Sequence, residues 1–222
     1  MFNRIARRYD LMNALMTFGR HQSWRHEAAR LAGPAPGGLA LDVATGTGDL
    51  ALALLRETGV RAVVGTDFSE KMLAVGQQKL RGSGFGDRVG LVVSDALALP
   101  FPDKTFDCVT SAFLLRNLAH LRQGLAEMRR VTRPGGRMVA LEITQPTTPA
   151  FRPLFRWYFH RLVPWIGGLV SGDREAYTYL PRSVDRFLLP SEVTRFMMSA
   201  GLRDVSYRRL GLGTITIHVG TA

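Results

Sequence analysis

The sequence predicts an α/β fold: a mainly parallel seven-stranded sheet with a C-terminal antiparallel strand pair, a helical N-terminal segment and a late helical lid insert. Three observations predict it. Apolar runs alternate with helical stretches from residue 39 to residue 143, the pattern of repeated βα units that places helices on both faces of a parallel sheet. The last two apolar runs are joined by so short a Gly-rich turn that they can only pair antiparallel. Two segments, 1–32 and 147–189, fall outside the alternation.

Taken in order, Leu39 to Ala44 is a strand that ends in a Gly-rich turn, and Asp49 to Glu57 follows as a helix. Arg61 to Thr66 is the second strand. Ser69 to Arg81 is a helix with Ser69 as N-cap and Met72, Leu73 and Leu80 on one face. Val89 to Val93 is the third strand, and Phe106 to Ser111, entered from the turn Pro102-Asp103-Lys104, is the fourth. The helix Leu121 to Val131 stops before Pro134-Gly135-Gly136, and Arg137 to Ile143 is the fifth strand. Glu192 to Ala200 reads as a helix; Val205 to Arg209 and Thr214 to Val219 are the final pair, turning at Gly211 and Gly213. Residues 1–32 read as one or two helices before the linker Gly33 to Gly38. With the insert 147–189 they are expected to cover the C-terminal edge of the sheet, where open α/β folds bind ligands.

Composition narrows the classes. The chain has 222 residues, 46% hydrophobic and 21% charged, the values of one globular domain, 1–222. Its single cysteine, Cys108, lies in a predicted strand and reads as core filler, so neither a disulfide framework nor a cysteine metal site is available. No signal peptide is visible, and the most apolar stretch, Leu162 to Val170, is broken by Pro164, Gly167 and Gly168 and too short for about 30 Å of hydrocarbon. The expected location is cytoplasmic. The net charge of +11 comes almost wholly from arginines spread along the chain. It fits a compositional bias as well as an anionic membrane surface or an acidic ligand.

The run Leu41-Asp42-Val43-Ala44-Thr45-Gly46-Thr47-Gly48-Asp49 carries the chemistry. Glycines at a strand-to-helix turn let a ligand approach the backbone, and the helix N-terminus offers free N–H groups. Gly46, Gly48 and Ala51 also satisfy the dinucleotide pattern, so NAD binding is a rival at this point. The acids tip the balance. A pyrophosphate sits badly beside Asp42 and Asp49, whereas the ammonium and sulfonium of S-adenosylmethionine are cations that carboxylates favour. Asp67, with Phe68 after it, is placed to accept from two ribose hydroxyls, and Asp95-Ala96 to hold an adenine. The cofactor-binding set is therefore Asp42, Gly46, Thr47, Gly48, Asp67, Phe68, Asp95 and Ala96.

The whole chain resembles the ubiquinone/menaquinone biosynthesis C-methyltransferases. The resemblance rests on Tyr9-Asp10-Leu11-Met12-Asn13 with Phe18-Gly19, His21 and Trp24, and on Arg130-Val131-Thr132-Arg133-Pro134-Gly135-Gly136 with Glu142 after it. Between and beyond these lie Leu99 to Pro102, Phe106-Asp107, Arg116-Asn117, Tyr177, Tyr179-Leu180 and His218-Val219-Gly220. It implies a Rossmann-like class I methyltransferase that methylates a ring carbon of a prenylated naphthoquinol or benzoquinol. Departures are Leu114 where the family has Gly, expected to take space beside the acceptor, and Ala112 where a small hydroxyl residue is common. A short basic N-terminal extension is expected to be missing.

On that reading Arg116 stabilises the quinolate and Asn117 orients it, while Tyr9, Tyr177 and Tyr179 line an aromatic pocket. A phenol with a pKa of about 10 costs roughly 4 kcal/mol to ionise at pH 7, and a neighbouring guanidinium lowers such a pKa by about 1 to 3 units. A surface ion pair is the competing role for Arg116. His21, His160 and His218 are candidate bases, each more readily read as a packed or capping imidazole. No metal is expected. The insert Phe151 to Val170 mixes aromatics with Arg152, Arg156 and Arg161, which suits either a lid meeting a polyprenyl tail at an anionic membrane surface or a helix packed on the sheet. The expected partners are the prenylated quinol, that membrane surface and a second copy in a homodimer, with no specific nucleic acid. The alternatives carried forward are a methyltransferase of RNA or another small molecule, and an NAD-dependent oxidoreductase.

Overall fold

The computed structural model describes residues 2–171 and 174–222. Its strands are β1 (Leu39–Val43), β2 (Ala62–Asp67), β3 (Val89–Val93), β4 (Phe106–Ala112), β5 (Thr132–Ile143), β6 (Arg203–Leu210) and β7 (Ile215–Thr221). They form one sheet in the order β3-β2-β1-β4-β5-β7-β6. The first five run parallel, and β7 lies antiparallel between β5 and β6. The chain steps outward from β1 to β3, then returns to β4 on the other side of β1, so a crevice opens where the order reverses. No second mononucleotide-binding half follows β5, which does not favour the dinucleotide alternative.

The expected strands are present. β5 starts at Thr132 rather than Arg137, because Thr132 already pairs with Phe106 before Arg133 to Gly136 bulge out and pairing resumes at Cys108 and Arg137. Gly135, at φ 81°, and Gly136 then bond to the backbone of Ala222, tying the bulge to the end of the chain.

The helices are α1 (Phe2–Ile5), α2 (Tyr9–Thr17), α3 (Arg20–Ala32), α4 (Asp49–Glu57), α5 (Glu70–Arg81), α6 (Leu121–Val131), α7 (Arg152–Trp157), α8 (Val163–Ser171), α9 (Arg174–Asp185) and α10 (Pro190–Ser199). α4 is apolar all round because it is covered on both sides: Leu50 through Leu55 are buried between the sheet and Ala28, Ala29 and Ala32 of α3. α6 is one-sided, with Gly124, Leu125, Met128 and Val131 buried at helical spacing. The Ser69 hydroxyl accepts from the Met72 N–H at 3.2 Å, the N-cap predicted for α5.

The N-terminal segment has three α-helical pieces rather than one or two. Phe18 at φ 51° and Gly19 at φ 75° are consecutive left-handed residues that turn α2 into α3. Ile5 and Met12 of this segment share a core with Phe159, Val163, Tyr177 and Val184 of the insert. The two segments outside the βα alternation are thus one cap. The Tyr158 hydroxyl donates to the Met16 carbonyl at 2.8 Å, and Arg8 donates to the Val170 carbonyl. Among the described residues no helix is long and apolar enough to cross a membrane.

Candidate active site

Two cavities meet beneath the cap. One is a cleft along the ends of β1, β2 and β3, lined by Gly46, Asp67, Phe68, Met72, Asp95 and Ala96 among others. Five of the eight sequence-predicted cofactor residues, Gly46, Asp67, Phe68, Asp95 and Ala96, come together here. Asp67 ends β2 and is turned into the Gly-rich loop: its Oδ2 accepts from the Gly46 N–H at 2.9 Å and its Oδ1 from the Ser69 N–H at 2.8 Å. Each oxygen keeps a lone pair, the arrangement a pair of vicinal hydroxyls needs. Burial pushes the Asp67 carboxyl above its usual range, against the pull of those N–H groups. The Asp95 carboxylate accepts from Leu97 N–H at 2.9 Å, and Phe68 is 81% exposed at the mouth, free to lie against a flat ligand. Gly46 stands at φ 59°, and a Cβ there would meet Met72 at 3.3 Å. The groups and spacing fit an adenosine.

Neither Asp42 nor Asp49 is among the residues that line this cleft. Asp42 is 1% exposed and accepts from the Thr45 and Thr110 hydroxyls at 2.7 and 3.0 Å, and burial pushes its carboxyl up to about 7. It braces β1 against β4. Asp49 faces the other way: burial raises its carboxyl, but Arg25 and Lys79 outweigh that and hold it below the usual range. Thr47 gives its hydroxyl to Asp10 of α2 at 2.6 Å, and Lys79 of α5 bonds to Asp10 at 2.7 Å and to Asp49. Gly48, at φ 83°, is the residue before α4 and packs on Leu80. Asp42, Thr47 and Gly48 thus join the loop to β4, α2 and α5. The Asp10–Lys79 pair fastens the cap to the loop, a role that motif reading of Tyr9-Asp10 did not reveal.

The second cavity, about 960 Å³ including its mouth, lies between the cap and the ends of β4, β5 and β7. Tyr9, Tyr177 and Tyr179 all line it, with Ile5, Met16, Trp24, Phe155 and Phe159. Tyr9, Phe113 and Asn117 also line the first cleft, so the cavities join there. Phe113 is held at φ 62° with its N–H on the Leu141 carbonyl at 2.7 Å; a non-glycine residue in that region marks strain of the kind kept at functional sites.

Arg116 and Asn117 sit at the junction. The Asn117 amide donates to the Phe113 carbonyl at 2.9 Å and accepts from the Tyr179 hydroxyl at 3.2 Å, which fixes which way it points. Arg116 is not a surface ion-pair residue. Its side chain is 7% exposed, and Nη1 donates at 2.8 Å to Glu142, itself 1% exposed. The other Glu142 oxygen accepts from the Leu115 N–H at 2.6 Å. Burial raises the Glu142 carboxyl despite the opposing pull of Arg116. Sequence reading quoted Glu142 as part of a motif but missed this partnership; a lone carboxylate in the buried run Met138 to Ile143 was the available signal.

Other expectations separate here. Ala112 and Leu114 line the first cleft rather than the second cavity. Of the candidate bases, His218 is buried in β7 with no hydrogen-bond partner on either ring nitrogen, and burial lowers its pKa to about 4. His160 is paired with Asp185 at 3.0 Å. His21 lines the second cavity.

Residues 1–222 match the ubiE/COQ5 methyltransferase family. A Geobacter sulfurreducens protein named ubiquinone/menaquinone biosynthesis C-methyltransferase UbiE is 46% identical over 99% of this chain and 86% of its own. A Thermus thermophilus protein named demethylmenaquinone methyltransferase is also 46% identical, over 99% of both chains. Among solved structures, a SAM-dependent methyltransferase from Aquifex aeolicus is similar with a TM-score of 0.64 at 19% identity, covering 95% of this chain and 96% of that one. One from Thermotoga maritima, titled a possible histamine N-methyltransferase, reaches a TM-score of 0.69 at 18% identity, over 99% and 97%. These two share the fold. With identity of this order along its whole length, the chain belongs to the ubiE/COQ5 methyltransferase family.

Proposed function

We propose that the protein transfers a methyl group from S-adenosylmethionine to a ring carbon of a prenylated quinol, converting demethylmenaquinol to menaquinol. The observation that carries this reading is the join of the two cavities: a cleft suited to an adenosine opens at Tyr9, Phe113 and Asn117 onto an aromatic cavity whose charged wall residue is Arg116. That is the seat for an apolar aromatic acceptor with an ionisable oxygen.

The bound donor supplies a methyl carbon made electrophilic by cationic sulfur. Asp67 holds the ribose hydroxyls, Asp95 and Ala96 the adenine, and Gly46 lets the backbone come close. On the acceptor side Arg116 donates to the quinol oxygen next to the reacting carbon, and Asn117 is locked by Tyr179 and Phe113 to orient it. A new carbon–carbon bond forms as the sulfur–methyl bond breaks; the sulfonium becomes a neutral thioether, and one proton leaves so that the ring regains its aromaticity. Much of the acceleration comes from holding the two reacting carbons in line. Because Glu142 neutralises Arg116, the lowering of a phenol pKa by an unpaired guanidinium is an upper bound, and directional hydrogen bonding supplies more of the effect than net charge.

The substrate's tail favours a site in the cytoplasm at the membrane surface. Leu154, Trp157, Trp165 and Leu169 of α7 and α8 are each at least 58% exposed, and Phe18 at the end of α2 is 85% exposed. Arg152, Arg156 and Arg161 are exposed between them. Wedge-forming aromatics ringed by cations suit headgroups and the upper acyl region of an anionic bilayer. Turnover of reduced demethylmenaquinone by the purified protein tests the reaction; binding of S-adenosylmethionine without such turnover would mean another acceptor.

A further inference from the structure

The acceptor cavity carries a polar group besides those around Arg116. His21 of α3 lines it, although the residue is only 4% exposed. Its Nδ1 is 2.6 Å from Arg25 Nη1 and 4.0 Å from Asp49 Oδ2. A guanidinium has five N–H donors, no acceptor, and does not lose its proton in a protein. Nδ1 must therefore be the acceptor, which leaves a neutral ring with its hydrogen on Nε2. Arg25 is held in turn by Asp49 at 3.9 Å and is itself 4% exposed. With the Nδ1 edge turned into Arg25, the Nε2 edge is the one available to the cavity.

The surroundings keep the ring neutral. The charged groups that face it are Arg25 from its own helix, Asp49 from α4, Asp10 from α2 and Lys79 from α5. Burial, Arg25 and Lys79 lower the pKa; Asp49 and Asp10 raise it; the outcome is about 4. The place is also informative. Arg25 and Arg116 both contact the Phe113 ring, their guanidinium carbons 5.4 and 5.6 Å from its centroid. Phe113 thus stands between a His21–Arg25 station and an Arg116–Asn117 station that serve one aromatic cavity.

A hydroquinone has two oxygens on opposite edges of its ring. Held at one oxygen, the ring can pivot, and the carbon facing the methyl group is not defined. We propose that His21 is the second anchor of the acceptor: an imidazole fixed as the Nε2–H tautomer by Arg25, which donates a hydrogen bond to the quinol oxygen remote from Arg116. Arg25 is then a positioning residue acting through His21, and His21 is a donor rather than a base. This inference rests on the proposed quinol substrate.

The test separates the two. Protein with ¹⁵N-labelled histidine is titrated from pH 5 to 8, then given 1,4-naphthohydroquinone under reducing conditions. His21 should show a neutral Nε2–H ring throughout, and its Nε2 resonance should move when the quinol binds. Kinetically, His21→Phe should lower kcat/KM for reduced demethylmenaquinone about ten- to a hundredfold, chiefly through KM, with S-adenosylmethionine affinity unchanged. His21→Gln, which restores an N–H donor near the Nε2 position, should recover most of that loss without changing the pH–rate profile. An imidazolium or Nδ1–H ring at pH 6.5, an Nε2 signal unmoved by saturating quinol, or equal rates for the Phe and Gln variants would overturn it. Failure of wild-type turnover with a clear Nε2 response would instead count against the natural acceptor and leave the anchor standing.

Discussion

The two cavities that meet at Tyr9, Phe113 and Asn117 are made in different ways. The cofactor cleft is built from strand ends, where the backbone of Gly46 and Ser69 locks Asp67 and the sheet register fixes each turn. The acceptor cavity is built from side chains on helices of the cap, closed by Arg116 at the end of β4. A strand-end site is rigid at little cost because the hydrogen-bond ladder already orders it. The fastening between them is Asp10 with Thr47 and Lys79.

That division can be broken at the acceptor side most severely. Arg116→Met should cut kcat/KM for reduced demethylmenaquinone by roughly 10³-fold, the scale of a lost preorganised donor at developing negative charge, while leaving the affinity for S-adenosylmethionine within about twofold. It also strands Glu142 in a buried site, so unfolding should show a loss of about 3 to 5 kcal/mol. Arg116→Met with Glu142→Gln should regain much of that stability and none of the activity, separating structural from chemical effects.

Acid probes both regions at once. His21 in the cap and His218 in the sheet are neutral in the folded protein down to about pH 4, whereas an unfolded histidine takes up its proton near 6.5. Between those values the unfolded state binds more protons, so each group removes stability as pH falls, up to about 3 kcal/mol apiece by pH 4. Asp42 works in the opposite sense over pH 4 to 7, since burial lifts its carboxyl to about 7 and favours the folded state at low pH. Taken together, these three groups give a single-proton loss of stability on acidification. His218→Phe should flatten the midpoint-against-pH curve between 6.5 and 4; an unchanged curve would mean His218 is hydrated.

On the cofactor side Asp67→Ala should weaken S-adenosylmethionine binding by roughly 30- to 100-fold, as expected for two charge-assisted hydrogen bonds, with little change in KM for the quinol. Calorimetry of the donor alone checks this. The smallest effect belongs to the rim: Trp157→Ser with Trp165→Ser should lower affinity for vesicles containing phosphatidylglycerol by about tenfold. Its activity on a short-tailed quinol in solution should be retained. Equal vesicle binding by wild type and variant would remove the membrane face from the account.

Much of the donor half was legible because its residues are local to their strands. Asp67 and Asp95 follow apolar runs directly, and a strand end is enough to place them. What was not legible depends on partners far away in the chain. Asp42 and Asp49 look like free acids until Thr110 and Lys79, 68 and 30 residues distant, are brought to them. Arg116 meets Glu142 only because β4 and β5 pair. The insert shows the other limit: its glycines read only as interruptions of an apolar run, yet Gly167 lies within α8, where a Cβ would collide with Tyr177 of α9. There glycine serves close packing, which spacing alone does not reveal.

On the proposed function, donor binding and acceptor chemistry reside in separate halves joined at Arg116 and Asn117. The direct measurement is titration of S-adenosylmethionine into wild type and Arg116→Met, followed by methyl transfer to reduced demethylmenaquinone with both. Equal donor affinity with transfer lost in the variant is the predicted result. Transfer retained at a comparable rate, or donor binding lost together with transfer, would contradict it.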